Sequence, residues 1–312
     1  MISLNKSKYS NLKFYAILIF VYTLWGVDPI INNGFYRHFS ASALSSHYTF
    51  FSALLFVIIS AKQFKNFNIN YLKYALPISL LGGCAGVVQK IGLQYTTPAK
   101  YAFLEHIGCV VVPIIMFLCF KKKPGKMQII ASVLCIVGCM VLTGVLREDA
   151  TLGAGELLCA LAGIMYGVST ALTGQYGSKL DARLMMTMYM GVYFISSVSF
   201  ATVLNFTEVD GAPLEPFRFP TDPVIIIVAA LFGLFSVGVG WLLKFEANKR
   251  VDPTTVAVIG PSSAIVTSAL SVIIGTDDLT LRFGISAILI VIAAILSGLS
   301  DLKEKKASKG AV

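Results

Sequence analysis

The chain is 312 residues long; 56% of its residues are hydrophobic and 13% are charged, with a mean hydropathy of +0.78. This composition lies far outside the range of soluble globular proteins and is typical of an integral membrane protein. The net charge of +9 is not arranged as a basic stripe with interleaved aromatic residues, so the sequence does not predict nucleic-acid binding.

Apolar stretches follow one another along the whole chain, and each matches the ~20 residues that an α-helix needs to cross a ~30 Å hydrocarbon core. The ten predicted spans lie near residues 13–34, 43–61, 73–95, 99–120, 126–146, 154–177, 184–204, 223–246, 254–274 and 281–300. The first stretch is too long for a signal peptide and has no small-residue cleavage site, so it is expected to be retained. The predicted fold class is all-α integral membrane with ten transmembrane helices.

Basic residues concentrate on one side of this arrangement. Nineteen of the 25 Lys and Arg residues, Lys244 among them, fall at the termini and in every second loop. Lys and Arg are retained on the cytoplasmic side during insertion. The sequence therefore predicts a multi-pass protein of the cytoplasmic (cell) membrane with both termini in the cytoplasm.

An internal repeat divides the predicted helices into two sets of five. "LQYTTPAKYAFL" aligns with "ANKRVDPTTVAVI" and brings Pro98 onto Pro253 at an offset of 155 residues. Because five is an odd number, the second copy enters the membrane in the opposite orientation. We predict a first five-helix repeat over residues 1–148 and a second, inverted repeat over 149–312, an architecture in which two halves expose a shared midplane site alternately.

Several segments resemble a known group of proteins. "LWGVDPIINNGF", "GLQYTTPAKYAFLEHIGCVVVPIIM" and "FEANKRVDPTTVAVIGPSSAIVTSALSVIIG" are similar to the drug/metabolite transporter superfamily, specifically its ten-helix EamA-type members. The resemblance covers nearly the whole chain. It implies a cytoplasmic-membrane carrier of small organic solutes, often an exporter of amino acids or related metabolites, that works by alternating access.

Ionisable residues inside the predicted spans fall at a common depth. At 1.5 Å per residue, Asp28, His47 and Lys90 lie ~8 Å below the outer face and Glu105 lies ~10 Å below it, with His106 just beneath. Such side chains cost a few kcal/mol each in a membrane and normally face a bundle interior or a water-filled cavity. We expect this layer to bind a small-molecule substrate.

Lys90 has two interpretations. It is expected to meet the carboxylate of a zwitterionic solute, or else to form an ion pair with Glu105 that only fastens the third and fourth helices together. The ion pair alone leaves Asp28 unexplained.

Further candidates surround this layer. At the offset of 155, Glu105 and His106 correspond to Gly260 and Pro261, and Lys90 corresponds to Phe245, so the ionisable chemistry is expected in the first half. Gly260 and Pro261 are expected to interrupt the ninth helix, either to free backbone carbonyls for a solute or as a simple packing kink. The aromatic residues that could line a pathway are Tyr22, Trp25, Tyr48, Tyr101, Tyr166 and Trp241, of which Trp25, Tyr101, Tyr166 and Trp241 are the binding candidates. Pro29 is a further candidate for gating or a helix break.

Three functions are compared. The leading hypothesis is an exporter of amino acids or similar zwitterionic metabolites, and the alternative is a carrier of organic cations such as quaternary amines or drugs. A membrane enzyme or scaffold is disfavoured, because no nucleophile motif, metal-ligand spacing or phosphate-cradling glycine loop is present. We expect no catalytic residue, cofactor or metal. The expected partners are a small-molecule substrate and the lipid bilayer, and a monomer and a homodimer are both compatible with the sequence.

Overall fold

The computed structural model describes residues 2–69, 71–97, 100–101, 104–143, 153–209, 212–276 and 278–310. Ten apolar helices dominate these ranges. In chain order they are α1 (Ile2–Phe35), α2 (Ala41–Ile59), α3 (Tyr71–Gln94), α4 (Glu105–Phe120), α5 (Lys126–Thr143), α6 (Ala154–Tyr176), α7 (Ala182–Phe206), α8 (Pro223–Asn248), α9 (Pro253–Ile274) and α10 (Leu281–Gly310).

Four of these helices contain an irregular turn. α3 opens with a π-helical turn over Tyr71–Ala75, and α4 opens with a 3₁₀ turn over Glu105–Ile107. α8 contains a π-helical segment over Leu234–Val239, and α9 is divided into Pro253–Ile259 and Ser262–Ile274. Outside the ten helices lie short 3₁₀ helices over Ala61–Asn66 and Gly177–Lys179, and a two-stranded antiparallel hairpin of β1 (Glu208–Val209) and β2 (Ala212–Pro213) between α7 and α8.

The predicted all-α membrane fold is confirmed over the described ranges. Eight helices are long and apolar enough to span a membrane, whereas α4 and α5 are shorter apolar helices in the part of the chain that is described. The predicted start of the fourth span and end of the fifth fall partly on residues 98–99, 102–103 and 144–150, which lie outside the described residues. α1 and α10 both extend beyond their predicted ends towards the termini.

The lateral surface of the helix bundle is apolar. Large aliphatic side chains such as Ile58, Val203, Leu231 and Ile273 are exposed on it. Exposed apolar surface of this extent is unfavourable in water and favourable against lipid tails. The polar side chains, in contrast, are directed into the bundle or towards the loops.

Helices of the first half pack mainly on helices of the second half. α2 packs on α7, α5 on α10, α3 on both α6 and α7, and α4 on α6, while α1 packs on α8 and α9. Exchanging the halves replaces each helix with its counterpart in the other half, so that α1 becomes α6 and α6 becomes α1. The pairs α3–α6, α4–α6 and α3–α7 then become α8–α1, α9–α1 and α8–α2, and all three of these pairs are in contact. The two halves therefore make equivalent sets of contacts.

Candidate functional site

Three residues of α1 form one stripe that faces the interior of the bundle. Tyr22, Trp25 and Asp28 follow one another at three-residue spacing, which places them on the same face of the helix. The indole Nε1 of Trp25 donates to the carbonyl oxygen of Ser236 (3.0 Å), and the Ser236 hydroxyl donates to Asp28 Oδ1 (2.7 Å). Ser236 belongs to the π-helical segment of α8, so this widened turn fixes both α1 side chains.

α3 supplies two polar side chains at the same level. Lys90 is 4% exposed, and its ammonium lies 5.2 Å from the ring centroid of Tyr48. Its neighbour Gln89 accepts a hydrogen bond from the Tyr166 hydroxyl through Oε1 (3.0 Å). Lys90 and Glu105, both of which are described, form no ion pair within 4.0 Å, so the helix-fastening ion pair is absent.

Lys244 of α8 also reaches this region, contrary to its predicted place in a loop. It was counted with a cytoplasmic loop, but it lies inside α8, is 8% exposed and directs its ammonium towards Trp241, 4.5 Å from the ring centroid. The expectation that the ionisable chemistry belongs to the first half is therefore wrong. The internal repeat indicated this position, because the offset of 155 residues pairs Lys90 with Phe245, and Lys244 directly precedes Phe245.

His106 contacts the interruption of α9. Its Nε2 shares a hydrogen bond with the Ser263 hydroxyl, and a Cβ atom added to Gly260 would lie 2.9 Å from its Nδ1. The absence of a side chain at Gly260 therefore makes room for the imidazole. Pro261 follows directly, and α9 resumes as an α-helix at Ser262.

Pro29 does not interrupt its helix. α1 continues through this residue from Ile2 to Phe35, so the prediction of a helix break there is wrong. The proline removes one backbone hydrogen bond of α1, and the contacts of Trp25 and Asp28 with α8 hold the turn that precedes it.

These side chains surround one cavity. It offers about 60 Å³ to the centres of water-sized molecules, against the ~10–15 Å³ that a single water requires. Eight of the nine side chains predicted to bind substrate line it: Trp25, Asp28, Lys90, Tyr101, Glu105, His106, Tyr166 and Trp241. Tyr22, one of the aromatic residues expected to be able to line a pathway, lines the cavity too, as do Lys244, Gln89 and Tyr193, none of which was predicted to do so.

His47 is the predicted binding residue that the structure places elsewhere. Its Nε2 lies 2.9 Å from the carbonyl oxygen of Ile226, and it lines a separate aromatic groove between α2 and α7. The adjacent residue Tyr48 faces the interior instead and donates to Asn32 Oδ1 (2.9 Å). Successive helical residues point about 100° apart, so a correct depth did not determine which of the two faces inward.

The cavity carries separated charges of both signs. Lys90 lies within electrostatic range of Asp28 and Glu105, whereas Lys244 lies within range of Glu105. No ion pair within 4.0 Å joins any of these four described side chains. Two carboxylates and two ammonium groups thus face one space without neutralising one another directly.

The whole chain is similar to known proteins. The model of the EamA-like transporter family matches it in two consecutive stretches, residues 13–144 and 153–299. The chain belongs to the EamA-like transporter family. This membership confirms the resemblance that the sequence motifs indicated.

Other comparisons agree with this assignment. An uncharacterized transporter from Archaeoglobus fulgidus is 24% identical over 212 residues, which make up 68% of this chain and 64% of that relative. The chain thus spans about 64% of the length of this curated relative. A protein of known crystal structure superposes with a TM-score of 0.70 over 91% of this chain and 98% of its own, at 13% identity, and that likeness shows the fold alone.

In this member of the EamA-like transporter family, both matched stretches contribute to the cavity. The first stretch supplies Asp28, Lys90 and Glu105, and the second supplies Tyr166 and Lys244. The cavity therefore lies between the two family units rather than within one of them.

Proposed function

We propose that this protein is a membrane carrier that exports amino acids or similar zwitterionic metabolites by alternating access. The observation that carries the proposal is the set of unpaired charges around the cavity: Asp28, Glu105, Lys90 and Lys244. Buried charges without direct partners are costly, and the cost is relieved when a ligand supplies complementary groups. An amino acid supplies an ammonium for the carboxylates and a carboxylate for the lysines in one small molecule.

The two ends of the bundle support an alternating mechanism. At one end, Glu215 of the loop between α7 and α8 accepts hydrogen bonds from the Ala41 N–H and the Gln94 amide, each at 2.7 Å. At the other, the Tyr15 hydroxyl donates to Asp301. We propose that the first set of contacts closes the outer end and the second the inner end, and that the halves 1–148 and 149–312, related by inversion, exchange these two states.

A carrier of organic cations is the second candidate, and one observation favours it. Four aromatic rings, those of Tyr22, Trp25, Tyr166 and Trp241, attract the ammonium of Lys244 beside the cavity, and ring surface of the same kind binds the ammonium and quaternary ammonium groups of solutes. With Asp28 and Glu105 nearby, a cation without a carboxylate has favourable contacts as well.

Transport by purified protein in liposomes tests both candidates. Each liposome preparation is loaded with an unlabelled solute, and uptake of the labelled solute is measured for matched pairs, leucine with isopentylamine and phenylalanine with phenethylamine. We expect exchange of the amino acids above that of protein-free liposomes. Exchange of the amines alone identifies a cation carrier, and exchange of neither amino acid overturns the proposed function.

A further inference from the structure

The ammonium of Lys244 is surrounded by aromatic rings. The ring centroids of Trp241, Trp25, Tyr166 and Tyr22 lie 4.5, 5.3, 5.9 and 6.0 Å from its Nζ. We refer to these four side chains as the ring cluster. Its rings also contact one another, with centroids 5.0 Å apart for the two tryptophans and 5.4 Å apart for Tyr166 and Trp241.

The ring cluster compensates the charge of Lys244 but not its hydrogen-bonding capacity. An ammonium group has three N–H donors, and aromatic faces attract its charge without accepting conventional hydrogen bonds. Among the described residues, no carboxylate lies within 4.0 Å of Lys244 Nζ and no acceptor bonds to it, although the side chain is only 8% exposed. The donors of a buried cation are therefore available to a molecule in the cavity that it lines.

Lys90 differs in its electrostatic surroundings. Two carboxylates, Asp28 and Glu105, lie within its range, whereas the range of Lys244 includes Glu105 alone. A further anion gains less from a cation that already has two anionic neighbours than from one that has a single anionic neighbour.

Four aromatic rings surround the ammonium of Lys244, whereas the Tyr48 ring alone among the described rings lies beside that of Lys90. From this geometry and the unbonded donors of its ammonium we infer that Lys244, rather than Lys90, binds the carboxylate of the solute. The inference rests on the proposed zwitterionic function and refines its substrate class. Lys90 then holds Asp28 and Glu105 in place, and these two carboxylates receive the solute's ammonium. Because the ring cluster adjoins Lys244, the side chain of the solute lies against aromatic surface, and amino acids with apolar or aromatic side chains are the preferred substrates.

Three ligands that share one skeleton test this assignment. Phenylalanine carries both charges, phenethylamine lacks the carboxylate, and hydrocinnamate lacks the ammonium. Dissociation constants for all three are measured by titration calorimetry with the purified full-length protein in detergent. The variants are Lys244→Met, Lys90→Met and Lys244→Arg, which keeps the positive charge.

Lys244→Met is expected to weaken binding of phenylalanine and hydrocinnamate by roughly 10 to 100-fold, the value of a lost charge-assisted hydrogen bond. Binding of phenethylamine is expected to hold or to tighten, because the vacated ring cluster accepts its ammonium. Lys244→Arg should retain most of the affinity for phenylalanine. Lys249→Met is the matched control, because Lys249 follows the same helix but bonds to Leu180 and Glu246 outside the cavity.

Two results would overturn the assignment. Equal losses of affinity for all three ligands in Lys244→Met show that the residue is structural. A loss in Lys90→Met that is confined to phenylalanine and hydrocinnamate shows that Lys90 binds the ligand carboxylate. Should Lys244→Met fail to fold, Lys244→Gln removes the charge while keeping donors and carries the same expected loss. A wild type that binds only phenethylamine refutes the zwitterionic function itself, which is distinct from a wild type that binds phenylalanine with no dependence on Lys244.

Discussion

Glu105 occupies the electrostatic centre of the cavity. It lies within range of Lys244, Lys90 and Asp28, whereas Asp28 accepts a hydrogen bond from Ser236 and is held by α8. None of the described salt bridges within 4.0 Å includes Glu105. A carboxylate in this position balances two lysines and remains open to a ligand.

Replacing Glu105 with Gln tests this role. The variant keeps the shape of the side chain and removes the charge that faces a solute ammonium. Affinity for phenylalanine and for phenethylamine should both fall, by roughly 10 to 100-fold, as measured by titration calorimetry.

Glu246→Gln is the control for this change. Glu246 lies on α8 near the end of the helix, is partly exposed and pairs with Lys249 at 3.4 Å, so its charge is worth little to the cavity. Unchanged affinity in Glu105→Gln, matching this control, would show that Glu105 takes no part in binding.

Individual helices position these side chains through their irregular turns. The π-helical segment of α8 directs the Ser236 carbonyl to Trp25, and the interruption of α9 leaves Gly260 beside His106. Irregular turns inside membrane helices are tolerated where they line a cavity or are buried in protein, and both of these lie there.

Gly260→Ala should be destabilising for this reason. The new Cβ would lie 2.9 Å from His106 Nδ1 and 3.2 Å from the Ala257 carbonyl, so the imidazole must move away from Ser263. We expect a loss of ~1–3 kcal/mol in stability, seen as a lower melting temperature in detergent.

Gly191→Ala is the matched control for that loss. Gly191 lies within α7 and a Cβ there would meet no atom within 4 Å, so alanine should be neutral or stabilising by up to ~1 kcal/mol. Equal melting temperatures for the two variants would contradict the packing argument.

Asp252, at the start of α9, is expected to make the stability of the protein depend on pH. Asp252 lies before the helix, where it accepts from the Thr254 N–H (2.9 Å) and from the Gln128 amide (3.1 Å). Burial, and then the charge of Asp301, raise the pKa of Asp252 above its ordinary value. The Asp252 carboxyl thus binds a proton more tightly in the folded state than in the unfolded chain. The contribution of Asp252 to stability therefore falls as pH rises from about 4 through the raised pKa.

Asp252→Asn removes that titration and keeps a side chain that caps helices equally well. Melting temperatures measured from about pH 4 to neutrality should fall for the wild type relative to the variant as pH increases. Parallel profiles for the two proteins would show that Asp252 does not titrate in this window.

At the scale of the whole molecule, the two family matches and the contacts between helices both divide the chain into two equivalent halves. Residues 13–144 and 153–299 match the same family model, and the contacts of α1–α5 with α6–α10 are equivalent when the halves are exchanged. Both observations support the proposed repeat of two five-helix halves.

Labelling of single cysteines tests this topology. Pro124→Cys lies between α4 and α5, and Ala212→Cys lies in the hairpin between α7 and α8. In cells whose protein lacks all six native cysteines, a membrane-impermeant maleimide should label residue 212 from outside and residue 124 only after permeabilisation. Labelling of both from outside would refute the topology.

The amino-acid sequence was sufficient for several properties that depend on position along the chain. Hydropathy determined the membrane class and the apolar helices, quoted motifs determined the family, and the rise per residue brought Asp28, Lys90 and Glu105 to one level. Each of these properties is read along a helix axis.

Only the tertiary structure decided which face of each helix turns inward. A helix between lipid and an apolar bundle interior is hydrophobic all round, so its sequence carries no amphipathic stripe to mark the buried face. His47 therefore faces a peripheral groove while Tyr48 faces the interior, and Lys244 enters the cavity although its basic charge near a helix end indicated a loop. Packing between helices of the two halves sets the rotation of each helix about its axis. Close contacts between their side chains distinguish helix faces that are equally apolar.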